Sequence, residues 1–414
     1  MMLEDPANAL EDTKQATILD PQLTKGWSRL AKSSILLGNK VMARMAGNKL
    51  KNMGESEGDE VLENIDKLDH NEKTGDTAVT VGKYSDGAYW YGLCVNIAPH
   101  YMQVRVGLAL CLVYLDRFEE AMVEVNKVMK NDDKNVEAVY VRGLCFYYQD
   151  ITDKALEHFK TVLKLDPDHE PARETMKQAR KIMNLKESGN KNFKSGNFEE
   201  ALEHYSLALK VDSLHRRLNS KLYFNRATVH ARLDNLQSCL ADCSLALEND
   251  PNYLKPLLRR AKTYMGLQDY ENAVNDYEKA YACDPGNLDT KQLLKEAKLA
   301  KKKLNRKDYY KILCIDVNAK EEDIKKAYRT QAMKHHPDKH ISSSESDKKY
   351  HEKMFKEVSE AFNILSDKKQ REIYDNGDDF NEDGWDVDED GNIDSEAIWQ
   401  QLFGNEKNTF YSYL

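Results

Sequence analysis

Several things are scarce in this 414-residue chain, and each scarcity closes off a class of protein. Proline numbers only 9 and glycine 19, too few for a turn-dense β architecture or a collagen-like or low-complexity chain. No apolar run approaches the roughly 20 residues needed to cross a bilayer. The longest lies near Val106–Leu115, which argues against a membrane partner. The seven cysteines (Cys94, Cys111, Cys145, Cys239, Cys243, Cys283 and Cys314) are odd in number and scattered, with no C-x-x-C. Zinc ribbons and secreted disulfide frameworks need tighter spacing, so free thiols in a reducing compartment are expected, most of them filling cores. The net charge of -9 is a deficit of positive charge and speaks against nucleic acid as partner. The opening MMLEDPANALEDTK has no basic stretch followed by an apolar one, so a secretory signal is not expected. A cytoplasmic location follows from these absences, with the nucleus as an additional possibility. What is abundant is Leu, Ala, Lys and Glu, within 41% hydrophobic and 32% charged residues, a balance that favours soluble helices.

The helices are organised as a repeat. Phe118-Glu-Glu-Ala121, Phe198-Glu-Glu-Ala201 and Tyr270-Glu-Asn-Ala273 share a pattern, and one register extends it to Ala9, Ala43, Gly87, Ala121, Ala155, Ala201, Cys239 and Ala273. The steps are 34, 44, 34, 34, 46, 38 and 34. Thirty-four is the period of the tetratricopeptide repeat (TPR), a helix-turn-helix unit that stacks into a solenoid. Twelve residues before the anchors lie Ala31, Gly75, Ala109, Gly143, Gly189, Ala227 and Ala261, all small, where helix A of each repeat is expected to approach helix B. Twelve residues after them, Pro21, Pro99, Pro167, Pro251 and Pro285 recur and should end helix B.

The long steps divide the array. Ten and twelve extra residues precede Gly87 and Ala201, read as lengthened helices or linkers, and four more before Cys239 fit a loop at Ser213-Leu-His-Arg. The expected organisation is a first group over 1–52, a middle group over 53–166 and a third over 167–304. The fold class is all-α, a TPR solenoid in three groups followed by a helical module. The first repeat lacks a helix A, as if the N-terminus were truncated or the chain a shorter isoform. The polar stretch Lys51–Glu72 gives no clear pattern.

A TPR array by itself is a scaffold with a concave surface, so binding must be argued from residues. In the third group Lys186 and Asn190 are four apart on one helix A, Asn225 is on the next, and Lys255 and Arg259 are four apart on the third. Spacing of four places each pair on one helix face, and corresponding helix A positions line one groove. Cations make charge-assisted bonds to carboxylates and amides can hold a peptide backbone. The five positions resemble the two-carboxylate clamp of chaperone-binding TPR domains of the Hop class. That resemblance implies capture of the Glu-Glu-Val-Asp tails of heat shock proteins 70 and 90. Lys25 and Arg29 repeat the register of Lys255 and Arg259 in the first group, a residual and incomplete clamp. The middle group has Gly107 and Val141 in place of Asn225 and Arg259, and should not hold such a tail by this mechanism.

Residues 305–378 break the repeat. KDYYKILCIDVNAKEEDIKKAYRTQAMKHHPDKH reads as a short helix, a loop and a helix from near Lys320, with a basic face of Lys325, Lys326, Arg329 and Lys334. Pro337 should stop it, and a long helix over about Asp347–Leu365 and a short last helix follow. DYYKIL, IKKAYR, His336-Pro337-Asp338 and FKEVSEAFNILSD together resemble the J domain of the DnaJ family. The resemblance implies that His336, Pro337 and Asp338, with Lys325, Lys326 and Arg329, dock on a DnaK-type chaperone (heat shock protein 70) and trigger its ATPase. His336 and Asp338 have little structural reason to be there. Cys314 departs from the family, which usually has glycine at that position. A rival reading gathers His335, His336, Asp338 and His340 around a metal, but adjacent histidines on a loop fit a tetrahedral site poorly. No nucleophile, phosphate loop or cofactor motif accompanies them, so no enzyme, no cofactor and no metal are expected.

The tail, 379–414, is acidic. Asp386, Asp388, Asp390 and Gly391 imitate the start of a calcium loop, but position twelve is Ala397 and the nearest acid, Glu396, comes one residue early. Ile398, Trp399, Leu402 and Phe403 form an apolar cluster that could dock on the helical module or mimic a client. The absence of a Gly/Phe-rich region or zinc-binding repeat after the J region implies a subfamily C J protein. The leading reading is a co-chaperone with no active site, passing unfolded clients between the two chaperone classes. Its alternatives are a TPR scaffold with a vestigial J domain and a calcium- or metal-dependent enzyme.

Overall fold

The computed structural model describes residues 6–304, 306–341 and 344–376, and among these there is no β-strand. The chain divides into two compact units after Thr263.

The first unit is a stack of helix pairs. It opens with α1 (Pro6–Leu19), then α2 (Thr24–Leu36) with α3 (Lys40–Asn52), α4 (Glu57–Thr80) with α5 (Tyr84–Ile97), and α6 (Met102–Tyr114) with α7 (Phe118–Met129). The pairs α8 (Val136–Tyr148) with α9 (Thr152–Leu165), α10 (Glu170–Ser195) with α11 (Phe198–Leu209), and α12 (Arg216–Arg232) with α13 (Leu236–Asn249) follow. The unit ends within α14 (Leu254–Gly266). Ala43, Ala121, Ala155, Ala201 and Cys239 are all fully buried, as a repeat anchor on helix B must be. Pro21, Pro99, Pro167 and Pro251 sit in the turns between pairs.

Where the small residue on helix A is glycine, a side chain of helix B occupies the space beside it. At Gly75, Gly143 and Gly189 that side chain is a ring four residues past the anchor: a Cβ built on Gly189 would lie 2.7 Å from Cε1 of Tyr205. A second regularity lies in the backbone. Five residues before each anchor the backbone is left-handed, at Gly38, Gly82, Asp116, Asp150, Gly196, Asp234 and Gln268. Glycine adopts this turn freely and aspartate tolerates it, which is why no single residue type marks it.

The two long insertions are lengthened helices. α4 has 24 residues and α10 has 26, against 13 in α2, α6 and α8. The polar stretch up to Glu72 is the first part of α4, whose Val61, Ile65 and Leu68 are buried at every third or fourth place. The four residues before Cys239 are not a looser loop. They form one extra turn of α12, which has 17 residues.

The second unit contains α15 (Tyr270–Cys283) packed on α16 (Leu288–Leu304), and then α17 (Tyr309–Leu313), α18 (Glu321–His335), a 3-10 turn Pro337–His340, α19 (Glu345–Ser366) and α20 (Lys368–Asn376). α18 and α19 are antiparallel. His335 at the end of α18 meets His351 near the start of α19, while Tyr328 stacks on Phe362 further along at 4.4 Å. Ile324, Tyr328, Ala332, Val358 and Ala361 are fully buried between them. No helix among the described residues is long and apolar enough to cross a membrane. The acidic tail, with its calcium-like loop and apolar cluster, lies outside the described residues.

Candidate functional site

Two sites emerge, one in each unit. In the second, α18 ends at His335 and the chain turns sharply at Pro337. Against expectation, His336 has a structural reason to be there. It is only 5% exposed, its ring stands edge-on to Phe355 at 5.3 Å, and its Nδ1 accepts the backbone N–H of Asp338 at 3.2 Å. The imidazole therefore caps the 3-10 turn and fixes what comes next. Asp338 has a side chain 72% exposed at the tip. A buried histidine holds a carboxylate out in water.

Beside the loop, His335 and His351 share a hydrogen bond between their Nδ1 atoms at 2.9 Å, and His340 stacks on His351 at 3.5 Å. Burial pushes the pKa of His335 below the ordinary imidazole value, with the neighbouring His351, Lys334 and His340 charges adding to the effect. The structure thus sends His335 and His336 to different partners, and among the described residues no three His, Cys, Asp or Glu side chains gather as metal ligands. Lys325 and Lys326 are exposed on α18, with Lys325 tied to Glu321 at 2.7 Å, and Arg329 lies half-buried one turn on from Lys325. An exposed carboxylate at the end of a cationic helix is suited to docking on a charged protein surface.

Cys314 ends α17 in the left-handed conformation, φ 58° and ψ 43°. Glycine would relax this position. The module is closed by Arg371, which donates to the carbonyls of Ala319 and Val317 and to the Tyr310 hydroxyl.

The first unit carries the groove. Lys186 and Asn190 are partly exposed on α10, Asn225 is partly exposed on α12, and α14 carries exposed Lys255 and half-buried Arg259. The two amides meet: Asn190 Oδ1 accepts from Asn225 Nδ2 at 3.4 Å and from the Tyr205 hydroxyl at 2.7 Å. Lys186, Lys255 and Arg259 form no ion pair among the described residues. Arg226, next to Asn225, is by contrast consumed by a two-pronged bond to Asp242 at 2.7 and 2.8 Å. Side-chain cations left without a carboxylate are what an incoming anion requires.

The middle group shows the same scaffold with opposite chemistry. In repeat register Glu72 replaces Lys186, Asp76 replaces Asn190, Gly107 replaces Asn225, Glu137 replaces Lys255 and Val141 replaces Arg259. Glu72 is buried, held by Lys40 at 2.6 Å and by the Tyr101 hydroxyl at 2.8 Å. Tyr101 is the residue before α6. The residue before α12 is His215, and the extra turn of α12 carries it instead onto Tyr147 and Tyr148, at 4.6 and 5.4 Å between rings. Lys186 is partly exposed.

The same turn joins the middle and third groups. Tyr147 donates to Asp212 at 3.0 Å, Lys221 pairs with Asp150 at 2.5 Å, and Arg216 pairs with Asp116 at 3.2 Å. In the first group, Lys25 and Arg29 stand exposed on α2.

Known proteins match both units. The DnaJ domain family matches residues 308–375, and tetratricopeptide repeat families match residues 137–169 and 254–287. The chain is similar to the DnaJ homolog subfamily C member 7 of Homo sapiens, 39% identical over 98% of this chain and 81% of that one. It is 35% identical to the Dictyostelium discoideum homolog of the same protein, over 96% of this chain and 74% of that one. Among solved structures, the crystallised P58(IPK) TPR domain covers 72% of this chain and 85% of its own at a TM-score of 0.50 and 19% identity, which establishes a shared solenoid fold.

Proposed function

The chain belongs to the DnaJ homolog subfamily C member 7 family of co-chaperones, which joins tetratricopeptide repeats to a DnaJ domain, and from this premise we propose that it stimulates the ATPase of a heat shock protein 70 through Asp338 and holds chaperone tails in the groove of its third repeat group. The observation that carries the first half is the pairing of a buried, capping His336 with an exposed Asp338 at the end of a cationic helix. Fixing the backbone that carries the carboxylate lowers the entropy cost of presenting it at the moment of docking. Pro337 contributes to that rigidity through its fixed backbone angle.

The second half rests on Lys186, Lys255 and Arg259, three cations that form no ion pair among the described residues, around a pair of ordered amides. A terminal carboxylate and an acidic side chain would each meet a cation, while the amides take the peptide backbone. The acidic residues at the matching register of the middle group would repel such a tail, so the third group is the binding group. Heat shock proteins 70 and 90, both implied by the clamp resemblance, are the proposed partners, with client transfer between them as the physiological outcome. A cytoplasmic location is proposed with them.

The test is a single-turnover ATPase assay on a cytosolic DnaK-type chaperone. The wild-type chain is expected to accelerate hydrolysis and Asp338→Asn to fail while keeping its helical content. Equal acceleration by Asp338→Asn, or none by the wild type, would exclude the proposed role and favour a TPR scaffold with a vestigial J domain.

A further inference from the structure

Tyr205 lies under the groove and belongs to none of the five matched positions. It is 2% exposed, with its ring against the bare Cα of Gly189 and its hydroxyl 2.7 Å from Asn190 Oδ1. Burial raises its pKa to about 12, so the hydroxyl remains a donor across the physiological range. Asn225 Nδ2 donates to the same oxygen at 3.4 Å. Two donors on one carbonyl oxygen fix which end of the amide faces them. The Asn190 Nδ2 group has no acceptor among the described residues and is left for whatever enters the groove. An amide turned the other way would present oxygen to an incoming carboxylate and repel it.

The middle group provides an internal comparison. Tyr91 occupies the register of Tyr205 and donates to Asp76 at 2.6 Å, and no amide stands across from it because Gly107 replaces Asn225. The tyrosine–helix A hydrogen bond is thus common to both groups, and what it orients differs: a carboxylate in one, an amide donor in the other.

We propose that Tyr205 is a positioning residue of the third-group groove, locking the Asn190 amide with its N–H outward and so setting the preference for a ligand with a free terminal carboxylate. This rests on the carboxylate-groove reading above, and the experiment separates the two. Peptides ending in Glu-Glu-Val-Asp, one with a free C-terminus and one amidated, are titrated into the full chain by calorimetry. The wild type is expected to favour the free acid strongly. Tyr205→Phe keeps the ring and removes one hydrogen bond, so affinity for the acid should fall about five- to tenfold, affinity for the amide should change little, and the acid-to-amide ratio should shrink by nearly the whole factor. Tyr91→Phe, the same change in the middle group, should leave the ratio as in the wild type. An unchanged ratio in Tyr205→Phe would reduce Tyr205 to a core residue and overturn the inference. A wild-type chain that fails to distinguish the peptides would overturn the groove reading itself.

Discussion

Asp338 and His336 stand two residues apart with opposite exposures, and the pair shows what single residues disclose in sequence and what they do not. The motif announces that the residues matter. Only the structure shows that His336 works inward, as a cap, while Asp338 works outward. The clamp positions were legible because four-residue spacing on helices is a geometric statement. Tyr205 was not, because aromatic residues at its register usually fill a core, as Phe159 does. Because Lys255 and Arg259 form no ion pair among the described residues, Lys255→Ala with Arg259→Ala should change unfolding free energy by no more than about 0.5 kcal/mol each. Peptide affinity should nevertheless drop more than about tenfold, the scale of a lost charge-assisted bond. A large loss of stability in urea unfolding would show that these cations are structural. At Cys314 the left-handed backbone disfavours a side chain by about 1–2 kcal/mol, partly offset by the entropy of glycine in the unfolded chain, about 0.5–1 kcal/mol. Cys314→Gly should therefore raise the stability of the J module by roughly 0.5–1 kcal/mol. A lower melting temperature would contradict this.

At the scale of elements, the repeat period and the inter-repeat prolines made most helix pairs legible. Insertions were harder, because length in sequence does not say whether residues extend a helix or a loop. The polar surface of α4 hides its helical period, and the extra turn of α12 is masked by the real turn at Ser213–Leu214 just before the His215 cap. His215 caps that helix, fully buried between the middle and third groups, with Nδ1 accepting from Leu218 N–H at 3.3 Å. Burial lowers its pKa below the ordinary value, against the opposing pull of Asp212 and Asp150. The folded state then binds fewer protons than the unfolded one. Its contribution is complete above the unfolded imidazole value, about 6.5, and is lost as pH falls below it. Urea unfolding between pH 7.5 and 5 should show stability declining through that window, and His215→Ala should flatten the decline while costing about 2–3 kcal/mol at neutral pH through the lost cap and the cavity. A pH profile identical in the variant would assign the dependence to other groups.

On the scale of the whole molecule, the chain combines two devices of different legibility. The J module is written in a compact motif, and nearly all its elements were expected to within a few residues. The groove is written in side chains spread over seventy residues, visible only once the repeat register is set. The opposite charge at matching positions of the middle group needed the same register and the structure together. On the proposed reading, one chain delivers an ATPase signal to a chaperone it also holds by the tail. Its most direct test is the concentration of this protein that half-maximally stimulates hydrolysis by a DnaK-type chaperone ending in Glu-Glu-Val-Asp, compared with the same chaperone lacking those four residues. Removing the tail should raise that concentration about tenfold or more through loss of the second attachment, with the maximal rate unchanged. Equal concentrations for the two chaperones would contradict it.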